Sequence, residues 1–142
     1  MGVQRERSET TRWLERLNVV PAASDAMFSS LSGGNQQKTV LARWLRCGAS
    51  VYLLEGPTAG VDIGAKGAIY QSLAGVAKTG AGVLITSTDV EEVCSICDRV
   101  LVMREGRIAA VLRGEDRTEE RVLAESMRTS PTPPRERDYV RD

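Results

Sequence analysis

Apolar residues recur at helical spacing in the first third of the chain. Trp13, Leu14 and Leu17 share one face, and Val40, Leu41, Trp44 and Leu45 make a second stripe. The first spacing predicts a helix capped by Ser8 or Thr10 and running to Leu17. The second predicts a helix over residues 34–46, stopped at Gly48. Residues 18–30 between them hold Pro21 and several small polar residues and read as loop. The pattern then changes. Residues 51–54 and 83–86 are short, continuous apolar runs bounded by turn signals, as expected of buried parallel strands. A helix over residues 64–78 is predicted between them, with Ile69, Leu73 and Val76 at helical spacing and Gly80 and Gly82 as breakers. Asp89 is placed to cap a helix through Cys97, and residues 100–103 and 108–112 read as strands joined across Glu105-Gly106. Asp116 with Glu119 suggests a capping box for a last helix to Met127. This order predicts an α/β fold with parallel strands and a C-terminal β-hairpin over residues 1–127. Residues 128–142, with Pro131, Pro133 and Pro134 among charges, read as a disordered tail.

Composition narrows the function classes. Lys plus Arg balance Asp plus Glu at 19 each, so no global field favours nucleic acid, and none is expected as a partner. No apolar run approaches the roughly 20 residues needed to span a bilayer. The first residues are polar and lack a signal-peptide core, so a cytoplasmic address is expected. Cys94-Ser95-Ile96-Cys97 has a spacing that invites zinc or redox chemistry. The chain has no His to complete a ligand set, and redox pairs of this kind open helices, whereas this one falls toward a helix end. These thiols are expected to be core.

The strongest chemical signal is Leu31-Ser32-Gly33-Gly34-Asn35-Gln36-Gln37-Lys38, running into the second helix. A small polar residue and two glycines open that helix, so backbone N–H groups and the positive dipole end can face an anion. The segment resembles the signature loop of ABC-type ATPases, and Asn35 to Lys38 are similar to those of ribose- and galactose-type sugar importers. In that family the signature closes over ATP held by the opposite subunit. The resemblance thus implies ATP contacts from Ser32, Gly33, Gly34 and Asn35.

Val51-Tyr52-Leu53-Leu54-Glu55-Gly56-Pro57-Thr58 resembles the family's Walker B strand, which usually ends Asp-Glu-Pro-Thr. There the Asp faces Mg²⁺ and the Glu activates the attacking water. Glu55 takes the metal position, one methylene longer than the usual Asp, and Gly56 takes the catalytic Glu position. Gly56 cannot accept a proton, and loss of a general base costs on the order of 10²–10⁴ in rate. Sliding the motif by one residue makes Glu55 the catalytic Glu, but puts Pro57-Thr58 out of register. The segment from Ala59 to Lys66 is similar to the importers' D-loop region, with Asp62 at the dimer-interface position; a plain helix cap is the simpler reading of the same residue. Leu84 to Glu92 resembles the switch region, with Thr88 where many members carry a His. A hydroxyl donates one hydrogen bond but brings no positive charge.

The chain contains no Gly-x-x-x-x-Gly-Lys-Ser/Thr, the loop that cradles phosphates in this family. The resemblance covers Ser8 to Met127 and implies the C-terminal half of one P-loop ATPase cassette. It implies ATP and Mg²⁺ only in a site shared with a partner cassette carrying Walker A, and sugar-importer membrane subunits as further partners, at the inner face of the membrane. No intact catalytic set is expected. Two other readings stay open: a non-hydrolysing signature donor to a partner's ATP site, and an inactive truncated gene product with exposed apolar faces.

Overall fold

The computed structural model describes residues 2–128; Met1 and the rest of the predicted tail lie outside them. Two compact units follow one another among the described residues, divided after Thr86.

In the first unit, α1 (Val3–Arg16), α2 (Gly33–Arg46), β1 (Val51–Glu55), α3 (Ile63–Lys78) and β2 (Gly82–Thr86) alternate as expected of an α/β chain. Strands β1 and β2 pair in parallel, Val51 opposite Gly82 through Glu55 opposite Thr86. Their inward residues, Tyr52, Leu54, Val83 and Ile85, pack on a core of Leu14, Leu17, Leu41, Leu45, Ile69 and Leu73. Leu17 and Ile69 are fully enclosed; burial of such a side chain contributes about 1.5–3 kcal/mol. The Tyr52 hydroxyl donates to the Leu45 carbonyl at 3.3 Å and accepts from Ala49 N–H at 3.0 Å, tying β1 to the end of α2.

Several expectations need correction. Helix α1 starts at Val3 after Gly2, with no side-chain cap, because Gln4, Arg5, Glu6 and Arg7 favour helix and carry it past Ser8 and Thr10. A single 3₁₀ turn, Phe28–Ser30, interrupts the expected loop. On α2 only half of the predicted stripe is core: Leu41 and Leu45 are buried, Val40 and Trp44 exposed. The stripe is two residues wide per turn, whereas α2 is covered on one side. Strands β1 and β2 are likewise buried on one face only. Val51, Leu53 and Leu84 point outward, because the helices of this unit lie on the opposite face. Gly82, expected as a breaker, is the first residue of β2.

In the second unit, α4 (Val90–Ile96) precedes the hairpin of β3 (Arg99–Arg104) and β4 (Arg107–Arg113), and α5 (Glu119–Met127) follows. Glu105 and Gly106 both take positive φ, 51° and 74°, as a two-residue hairpin turn with the strands' twist requires. Val100, Val102, Leu112 and Val122 form the core, with Cys94 and Cys97 packed against it. The expected cap of α5 is wrong by two residues: Thr118, not Asp116, accepts the Arg121 N–H, at 3.2 Å. Residues 114–116 form a separate 3₁₀ turn, which moves the helix start onward.

Candidate functional site

Helix α2 opens at Ser32, whose hydroxyl accepts the Asn35 N–H at 3.4 Å. Gly33 has nothing within 4 Å of the place a Cβ would occupy, so the first turn is open on that side. Gly34 is the reverse case. A Cβ there would stand 3.3 Å from the Gly60 carbonyl oxygen and 3.7 Å from Val61 Cα. Its missing side chain lets the start of α2 lie against the turn that leads into α3. Asp62 ends that turn as the cap of α3, its Oδ1 accepting from Ala65 N–H at 3.0 Å.

Ser32, Gly34, Asn35 and Asp62 therefore line one open cleft of about 370 Å³, with Asn18, Val20, Lys38, Gly64 and Ala65. Four of the residues singled out in the sequence meet here; Gly33, Glu55 and Gly56 are not among its lining. Asn35 uses its side chain structurally. Its Nδ2 donates to the Val20 carbonyl at 2.7 Å, and its Oδ1 accepts from Val20 N–H at 3.2 Å. Lys38 is only 5% exposed and its ammonium donates to the Asn18 carbonyl. These two contacts fold residues 18–20 against α2 and make one wall of the cleft. Sequence reading placed Lys38 in the signature run but gave it no role, because its partner is a backbone carbonyl in a loop without pattern.

Two helix starts, α2 and α3, bound the cleft. Unpaired N–H groups and the dipole of a first turn suit a phosphate oxygen. The lining holds no aromatic side chain to stack on a purine. The residues present thus fit the phosphate edge of a nucleotide and not its base.

Glu55 ends β1, and Gly56 follows with φ +49°, its N–H donating to the Thr86 carbonyl at 2.8 Å. Among the described residues no three acidic, His or Cys side chains gather as a metal-ligand set, so Glu55 does not by itself make a cation site.

Thr88 lies in the second unit, exposed at the apex of a tightly bonded turn. Ser87 Oγ donates to Glu92 Oε2 at 2.6 Å and accepts from Asp89 N–H at 3.0 Å, while Asp89 Oδ1 accepts from Glu92 N–H at 3.0 Å. Glu92 is 3% exposed. This network was not evident from sequence, where Glu92 reads as one more acidic residue in a first helical turn. Nearby, burial pushes the Cys97 thiol up, partly offset by Arg117, and burial followed by Glu119 raises Cys94. Low-pKa thiolate chemistry is disfavoured at both.

No family model matches the chain. Among solved structures, a dimeric bacterial ABC transporter cassette superposes with a TM-score of 0.71 at 22% identity, over 80% of this chain and 49% of that one. An ABC transporter ATP-binding cassette in its ADP conformation matches with a TM-score of 0.63 at 27% identity, over 83% of this chain and 45% of that one. The chain accordingly has the fold of the C-terminal half of an ABC ATPase cassette. In sequence it is a relative of the ribose/galactose-type import ATP-binding subunits, matching their C-terminal part. The ribose import ATP-binding protein RbsA of Roseobacter denitrificans is 45% identical over 121 residues, 85% of this chain and 24% of that protein. A ribose import ATP-binding protein of Streptomyces avermitilis is 44% identical over 119 residues, 84% of this chain and 24% of that protein. The chain thus spans about a quarter of the length of the curated relatives it matches.

Proposed function

We propose that the chain serves a carbohydrate importer as the signature-bearing half of an ATPase cassette, completing an ATP site whose phosphate-cradling loop belongs to a partner cassette. The observation that carries this reading is the single cleft formed by Ser32, Gly34, Asn35 and Asp62 at two helix starts. In this role Ser32 and the first N–H groups of α2 meet a terminal phosphate oxygen. Asp62 borders the same cleft from the D-loop side. Mg²⁺ would neutralise charge on the phosphates, and Glu55 would be the residue to hold it in this chain's own half-site. Gly56 leaves that half-site without a group to take a proton from water, and the Thr88 hydroxyl brings no charge. The chain alone therefore does not hydrolyse ATP. The relatives' names, ribose import ATP-binding proteins, support a role in import, and the proposed setting is work against importer membrane subunits at the inner face of the membrane; no helix among the described residues is long and apolar enough to cross a membrane.

Steady-state ATP turnover by the purified chain tests the hydrolytic part. The expected result is no turnover above that of the Glu55→Gln variant. Turnover by the purified chain that Glu55→Gln abolishes overturns it.

A further inference from the structure

Cys94 and Cys97 complete no zinc ligand set, but the second unit gives the pair a definite geometry. Cys94 lies in the last turn of α4, and Cys97 is its C-cap. The Cys97 N–H still donates to the Val93 carbonyl at 3.2 Å, so the backbone at Cys97 continues the helical spiral. Residues three apart on such a spiral share one face with Cα atoms about 5 Å apart, inside the roughly 4.4–6.8 Å that a disulfide spans. Both thiols are free and half-buried, and both pack on the cluster of Val100, Val102, Leu112 and Val122. A small molecule can reach them.

Arg117 adds an independent observation. Its Nη1 donates to the Cys97 carbonyl, while its Nε is buried without an acceptor. A buried donor left unpaired is costly, and a thiolate sulfur beside it is an acceptor. The charge of Arg117 acts on both thiols. We propose that Cys94 and Cys97 form a reversible redox site, closed to an intrachain disulfide by small disulfide oxidants and supported by Arg117. In the first step one cysteine thiolate attacks a sulfur of the oxidant. The oxidant's S–S bond breaks, and its leaving half takes up the proton the cysteine gave. The second cysteine, on losing its own proton, attacks the protein sulfur of this mixed disulfide and expels the other half as a thiol. Two protein thiols thus lose two electrons and two protons, and one small disulfide becomes two thiols. Burial makes either thiol slow by itself, but the second step is intramolecular and favoured by proximity. This proposal is independent of the cassette reading and uses none of the residues of the signature cleft.

The test incubates the full chain carrying Cys47→Ser, which removes the exposed thiol, with oxidised glutathione at pH 8. Free thiols and masses are then read by alkylation and mass spectrometry. The expected result is loss of both thiols in a monomer lighter by two hydrogens, reversed by excess reduced glutathione. With Cys94→Ser added, Cys97 is expected to stop at the glutathione adduct. Closure is expected to slow about threefold in Arg117→Met and to recover in Arg117→Lys. The folded chain is expected to close at a lower ratio of oxidised to reduced glutathione than the chain unfolded in urea. Two unreacted thiols, stable glutathione adducts on both cysteines, or a disulfide linking two chains overturns the site. An equal glutathione ratio for folded and unfolded chain overturns it too, by removing the fold from the account. Closure as fast in Arg117→Met as in the parent chain overturns the part given to Arg117.

Discussion

Gly56 shows how a single residue alters both chemistry and backbone. Its φ of +49° closes the turn after β1, and its N–H continues the ladder to Thr86. An L side chain in this left-handed conformation costs about 1–2 kcal/mol. The Gly56→Glu variant, which places a carboxylate at the position proposed as catalytic, is therefore expected to lose about 1–2 kcal/mol in urea unfolding at unchanged m-value. Equal or greater stability contradicts the strain. The sequence reading sets Gly56 at the catalytic position on the register of Pro57-Thr58, and that assignment belongs to the proposal. The left-handed backbone was not legible in the sequence, since it follows from how the turn closes on Thr86. Gly34 was legible as part of a motif, but its packing reason, a close approach to Gly60, emerges only when α2 and the turn before α3 meet. The same holds for Asn35, whose amide is engaged on both sides by the backbone of Val20.

Among the elements, helices and strands were readable wherever apolar spacing was regular, and the errors lie where spacing cannot report cover. A run such as residues 51–54 has the same apolar content whether one face or two are enclosed. Leu53 and Leu84 are exposed because the helices of this unit pack only on the other side. Helix α1 begins early for a different reason: favourable helix formers precede the serine and threonine that resembled caps. Helix α4 and its C-cap carry the cysteine pair, which the sequence assigned to the core and the structure packs against the cluster of Val100 and Val102. Burial holds both thiols above the ordinary 9.0. What they contribute to stability is present below that value and lost as the pH rises through their raised pKa values. Alkylation by iodoacetamide at pH 8 is thus expected to label exposed Cys47 first, with Cys94 and Cys97 lagging until the pH rises through their raised pKa values. Equal rates at all three sites contradict this packing.

For the molecule as a whole, the signature run, the strand after it and the D-loop segment were enough to indicate an ABC cassette half, and fold and relatives agree with that. What sequence did not convey was that Asp62 shares one cleft with Ser32, Gly34 and Asn35, since this depends on α2 and α3 starting side by side. The central claim is that this cleft completes an ATP site on a partner cassette. Association of the full chain with a Walker A-bearing cassette from a ribose importer, measured with and without ATP and Mg²⁺, tests it most directly. The account predicts binding that requires ATP and is lost in Ser32→Arg. Binding that is equal without ATP, or that survives Ser32→Arg, contradicts it.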